Sequence, residues 1–129
     1  MMGTDLGQRF AEALGHRDNA ALKSLLADNV DFRAMTPGKF WETSNAGDVV
    51  EGILLGTWFE PQDRVTSIEH IETGAVGARQ RVRYQFALTN PEGDFLVEQQ
   101  MYFDVDNRSE RISWLRIICS GFQPLPSRH

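Results

Sequence analysis

The chain opens with two stretches in which apolar residues recur every three or four positions. Leu6, Phe10 and Leu14, with Ala13 beside them, mark one face of a first helix, and Gly15 is placed to end it. Asp18 offers an N-cap to a second helix whose buried stripe is Ala21, Leu22, Leu25 and Leu26. From Val30 to Arg33 polar and apolar residues alternate, which predicts a short strand running into an irregular loop at Thr36-Pro37-Gly38, with Phe40 and Trp41 packing inward from that loop. Between Asp48 and Phe59, Val50, Leu54 and Trp58 fall every fourth residue with Val49 and Ile53 in support, which predicts a third helix stopped by Pro61.

The pattern changes from Arg64 to Gly121. Val, Ile, Tyr, Phe and Thr dominate, and turn residues near Gly74, at Asn90-Pro91-Glu92-Gly93 and at Asp106-Asn107-Arg108 divide the segment into four strands joined by hairpins. Centring the middle hairpin on Pro91-Glu92 sets Leu88 opposite Phe95, Phe86 opposite Val97, Tyr84 opposite Gln99 and Val82 opposite Met101, an almost wholly apolar face. The other face pairs Gln85 with Glu98, Arg83 with Gln100, Arg81 with Tyr102 and Arg79 with Asp104, so these arginines serve sheet pairing rather than phosphate binding. In the last strand Ile112, Trp114 and Ile118 point one way and Leu115, Ile117 and Cys119 the other, so both faces call for cover. Helices can supply one cover. A second copy supplies the other, which predicts a homodimer packed through the sheet at Trp114, Arg116 and Ile118. The expected fold class is α+β, with three N-terminal helices packed on a curved, mostly antiparallel sheet that forms a cone-shaped, cystatin-like half barrel.

Length and composition narrow the function. A chain of 129 residues, 41% hydrophobic, suits one domain over 1–129 with a loose tail over 123–129. A net charge of −5 speaks against nucleic acid and anionic membrane as partners, since both need clustered positive charge. Cys119 is the single cysteine, no signal-like apolar run opens the chain, and a cytoplasmic location is expected. No His, Cys or carboxylate spacing suggests a metal, and no cofactor is expected.

Three segments carry a family resemblance: Phe10-Ala-Glu-Ala-Leu-Gly-His-Arg-Asp18, Leu25-Leu-Ala-Asp-Asn-Val-Asp-Phe32 and Arg111-Ile-Ser-Trp-Leu-Arg-Ile-Ile-Cys-Ser-Gly121. With the order of elements they resemble the nuclear transport factor 2-like superfamily, which includes ketosteroid isomerases, limonene epoxide hydrolases and SnoaL-like cyclases. That resemblance implies a fold with an interior pocket. It also exposes departures. The isomerase tyrosine falls on Phe10, its base near Ala34 or Thr36, and its sheet carboxyl near Gln99 or Met101. The epoxide hydrolase Asp-Arg-Asp set meets Arg83-Tyr84-Gln85, and the cyclase aspartate meets Ile117-Ile118-Cys119-Ser120.

What remains is a pocket for a hydrophobic small molecule, either an isomerase, cyclase or hydrolase working by acid-base chemistry or a noncatalytic binder. The alternative is an interaction module using the outer sheet face. Asp31 and His70 are the candidate proton carriers and Tyr84 the candidate hydrogen-bond donor. Gln99, Met101, Phe86, Trp58, Trp41, Phe10, Leu115 and Cys119 are the candidate ligand contacts, with Cys119 read as a small buried hydrophobe.

Overall fold

The computed structural model describes residues 5–126. Helix α1 (Leu6–Gly15) starts where the Asp5 carboxylate accepts from the Gly7 and Gln8 amides at 2.7 and 3.3 Å, satisfying two of the donors a helix start leaves open. It buries Phe10, Ala13 and Leu14 as their spacing requires. Gly15 does not terminate it by a left-handed turn. A Cβ there would sit 2.9 Å from Ile68 Cδ1 and 3.3 Å from Phe86 Cε1, so the glycine lets the helix lie against the sheet, and the left-handed residue is Arg17 (φ 53). Helix α2 (Asn19–Leu25) is capped by Asp18, which accepts from the Ala21 amide at 3.0 Å. Leu26, assigned to this helix by its spacing, instead opens strand β1 and is fully buried there.

Strand β1 (Leu26–Thr36) is longer than its clearest alternation, and the residues after Pro37 form strand β2 (Lys39–Thr43) rather than a loop. Gly38 (φ 77) makes the turn between them. Strand parity then sends neighbours to opposite sides: Trp41 packs inward, whereas Phe40 is 76% exposed. The third helix, α3 (Asp48–Trp58), therefore follows two strands, and the helices are not all N-terminal to the sheet. It is wound as a π-helix. The Phe59 amide donates to Leu54 O at 2.9 Å across five residues, and the Thr57 side-chain hydroxyl donates to the Gly52 carbonyl at 2.7 Å. At Gly56 a Cβ would collide with the Glu51 carbonyl oxygen, so this winding needs a glycine.

Strands β3 (Arg64–Val76), β4 (Arg79–Asn90), β5 (Gly93–Val105) and β6 (Ile112–Cys119) follow as antiparallel neighbours, and β6 returns beside β1 in parallel. The sheet order is β2-β1-β6-β5-β4-β3, a curved, unclosed and mostly antiparallel sheet on an α+β plan. The first turn of this segment lies at Gly77 (φ 60), not near Gly74, which pairs with Arg81 inside the strands. The middle hairpin has the register that its alternation predicts, from Leu88 opposite Phe95 to Arg81 opposite Tyr102, and the salt bridge from Arg79 to Asp104 closes its open end at 2.9 Å. Val82, Tyr84, Phe86, Leu88, Val97, Gln99 and Met101 all face the helices and are buried.

Strand β6 breaks its expected parity once. A bulge between Asp104 and Val105 in the β5–β6 ladder turns Ile112 inward beside Leu115 and Ile117, leaving Trp114, Arg116 and Ile118 on the outer face. The tail expected to be loose begins instead with strand β7 (Gln123–Pro124), paired with Phe95 and Leu96; residues 127–129 lie outside the described residues. No described helix is long and apolar enough to cross a membrane.

Candidate functional site at the mouth of the concave face

Across the concave face the inward residues form rows, and one row is polar. Tyr84 on β4, Gln99 on β5 and Cys119 on β6 are successive cross-strand partners. The Tyr84 hydroxyl donates to Gln99 Oε1 at 2.6 Å, with both side chains buried. A buried hydroxyl without such a partner costs about 1–3 kcal/mol, so the pair is mutually required. Burial, and then the neighbouring Cys119, pushes the Tyr84 phenol well above the ordinary tyrosine value, so it stays protonated and a donor. Its proton is committed to Gln99. The free arm of that amide, Nε2, is buried and has no hydrogen-bond partner among the described residues.

The row ends at a cavity of about 260 Å³, lined by Thr36, Trp41, Thr57, Trp58, Phe59, Cys119, Gly121 and Phe122. This is just under the ~300–1,000 Å³ usual for ligand pockets. No charged side chain lines it. Trp58, at the end of α3, meets Trp41 edge-on with centroids 6.0 Å apart and Phe32 at 6.2 Å. The Trp41 indole donates to Thr36 Oγ1 at 2.8 Å, whereas Trp58 Nε1 is a second buried donor with no partner among the described residues. Arg17, held in its left-handed conformation beside α2, donates to the carbonyls of Phe59 and Leu55 and so fixes the end of α3 that carries Trp58.

The structure brings together Trp41, Trp58 and Cys119 at this cavity, with Gln99 and Tyr84 behind Cys119. Phe86 is fully buried beside Tyr84 (5.2 Å) and Phe59 (5.8 Å). Phe10, Met101 and Leu115 are fully buried in the core and do not line the cavity. Cys119 is half-buried rather than fully enclosed, and its sulfur accepts from the Gly121 amide at 3.4 Å. Neither candidate proton carrier is near. Asp31 lies on the outer face, 3.2 Å from Arg116 Nη1, and His70 is exposed on β3 opposite outward-facing Gln85. The lining residues that sequence reasoning missed, Thr36, Thr57, Phe59, Gly121 and Phe122, come from the ends of β1, α3 and β6, which only the folded chain brings together. Among the described residues no group of three or more His, Cys, Asp or Glu side chains is placed to hold a metal.

Two larger grooves, of about 880 and 580 Å³, lie elsewhere. The first is on the outer face, where the guanidinium groups of Arg79 and Arg116 stack on Trp114 at 3.6 and 4.1 Å and are balanced by Asp104 and Asp31. The second runs along β2, β1 and β6 beside Phe40, Met35 and Ile118.

A curved open sheet of this order, closed on its concave side by three helices, matches known structures. A protein from Rhodopseudomonas palustris, provisionally named an isomerase, superposes with a TM-score of 0.72 over 93% of each chain at 18% identity. A superfamily protein of the nuclear transport factor 2-like type from Salmonella enterica superposes at 0.62, over 94% of this chain and 87% of its own, at 12% identity. The chain has the nuclear transport factor 2-like fold. An epoxide hydrolase of the same NTF2-like fold from M. tuberculosis, of the limonene epoxide hydrolase-like kind, superposes at 0.62 over 89% of this chain and 80% of its own, at 19% identity. Sequence comparison finds no matching family model and no significant match among curated proteins. At these identities the likeness carries the NTF2-like fold and not a reaction.

Proposed function

We propose that this chain, folded as a single domain, binds a hydrophobic small molecule at the mouth cavity between α3 and the ends of β1 and β6. The observation that carries the reading is the uncommitted amide nitrogen of Gln99. A buried donor with no partner is costly in a folded core, and this one lies directly behind Cys119, its cross-strand neighbour, which lines an uncharged, aromatic-rich cavity. Structural neighbours described as an isomerase and an epoxide hydrolase are consistent with small-molecule work on this fold. For this chain the geometry favours binding over acid-base catalysis, because Asp31 and His70 both lie away from the cavity and the Tyr84 proton is held by Gln99.

A thermal-shift screen against apolar terpenoid, steroid and polyketide-like compounds tests this directly. A ligand present at a hundred times its Kd raises the melting temperature by about 5–10 °C through mass action. Replacing exposed Thr57 by Trp, which plugs the mouth without entering the core, abolishes that rise. An equal rise in the Thr57→Trp variant places binding elsewhere and refutes the assignment.

We propose further that a second copy covers the outer face. Phe40, Met35 and Ile118 stand side by side across β2, β1 and β6, and are 76%, 45% and 60% exposed, an apolar row of the kind monomers seldom leave open. Trp114 and Arg116 extend the same face. Sedimentation of the purified chain is expected to give a dimer, and Ile118→Arg to give a monomer; a wild-type chain that is monomeric at all concentrations contradicts the interface.

A further inference from the structure

We infer that the mouth cavity selects a neutral, apolar molecule carrying a hydrogen-bond acceptor, such as a ketone or ester carbonyl, an inference that rests on the pocket reading above. Most of the hydrogen-bonding protons around the cavity are already spent. Trp41 has given its indole proton to Thr36 Oγ1, Thr57 has given its hydroxyl proton to Gly52 O, and Tyr84 has given its own to Gln99 Oε1. The buried side-chain groups still unpaired here are both donors, Trp58 Nε1 and Gln99 Nε2. Trp58 lines the cavity from the end of α3, whereas Gln99 lies in the sheet behind Cys119 and does not itself line it. Oε1 is held by Tyr84 on β4, and the neighbour of Gln99 on its other side is Cys119 on β6, which lines the cavity.

A ligand that supplies an acceptor relieves a donor that is otherwise left dry. A hydrocarbon of the same shape leaves both as they are. An anion fits no better. None of the lining residues is cationic, and the nearby guanidinium, Arg17, is committed to the Leu55 and Phe59 carbonyls. Placing a carboxylate among Trp41, Trp58, Phe59 and Phe122 would remove its hydration without a countercharge. The site therefore discriminates by polarity at constant shape, the kind of selection that a hydrogen-bonding pocket makes best.

Acetophenone, ethylbenzene and benzoate form a matched test, since the first two differ by a carbonyl in place of a methylene and the third by a charge. Titration of the full chain with each, followed by ligand-observed NMR, is expected to rank acetophenone at least about tenfold above ethylbenzene, with benzoate the weakest. Trp58→Phe, which keeps an aromatic ring and deletes the N–H, is expected to narrow the gap between the first two. Ethylbenzene binding as tightly as acetophenone, or benzoate binding best, overturns the ligand class while leaving the pocket standing. If none of the three binds the wild-type chain, the ligand class and the pocket reading fall together.

Discussion

Phe86→Ala is expected to destabilise the fold by about 3–5 kcal/mol, lowering the melting temperature by roughly 10–20 °C. Phe86 is fully buried, its ring centroid 5.2 Å from that of Tyr84 and 5.8 Å from that of Phe59, and α1 approaches so closely at Gly15 that the helix has no slack to settle into a vacated space. The cost is therefore the lost transfer of the ring plus a cavity that the sheet cannot close. Phe40→Ala supplies the contrast within one residue type. Its ring is 76% exposed on the outer side of β2, so a thermal melt of a monomeric preparation is expected to move by less than about 0.5 kcal/mol. Urea melts of the two variants decide the matter, and a larger loss from Phe40 than from Phe86 would invert the assignment of the two sheet faces.

That assignment was the most legible part of the sequence. A period of two is fixed once a hairpin turn is placed, and Pro91-Glu92 places it, so the inward row from Val82 to Leu88 and its partners from Phe95 to Met101 follow without any knowledge of the helices. The same parity sends Asp31 outward, since it stands between Val30 and Phe32, both fully buried, so the carboxyl that makes it a candidate proton carrier points away from the concave face. Thr36-Pro37-Gly38 looks like a strand end in sequence and so assigns Phe40 and Trp41 to a loop, whereas it is a turn between two strands. His70 and Ile112 were harder. Register shifts in the β3–β4 ladder and the bulge in β6, where Ser113 is left unpaired between Ile112 and Trp114, change which face a residue takes, and a single extra residue in a strand leaves no compositional trace.

The site divides along the same line. Tyr84 and Gln99 are cross-strand neighbours, so their pairing could be read from the hairpin alone, and the 2.6 Å bond between them is a local consequence of register. The mouth could not be read so. It gathers Thr36, Thr57 and Phe122 from three separate element ends, and its roof depends on a helix wound one residue wider per turn than the four-residue spacing of Val50, Leu54 and Trp58 suggests. Trp58 stays inward, and Leu55 joins the buried set.

The indole N–H signals of the three tryptophans report on the two faces of the molecule separately, and a titration with acetophenone followed by nitrogen-proton correlation NMR reads them together. Trp58, which lines the cavity, has a buried, unpaired N–H, whereas Trp114 lies on the outer face between Arg79 and Arg116. Assignment needs only Trp58→Phe and Trp114→Phe, each deleting one peak. The expected result is a downfield, saturable shift of the Trp58 indole proton as it gains an acceptor, with the Trp114 signal unmoved. A Trp114 signal that shifts while Trp58 stays still, or no shift in either at saturating ligand, contradicts a binding site at the mouth of the concave face.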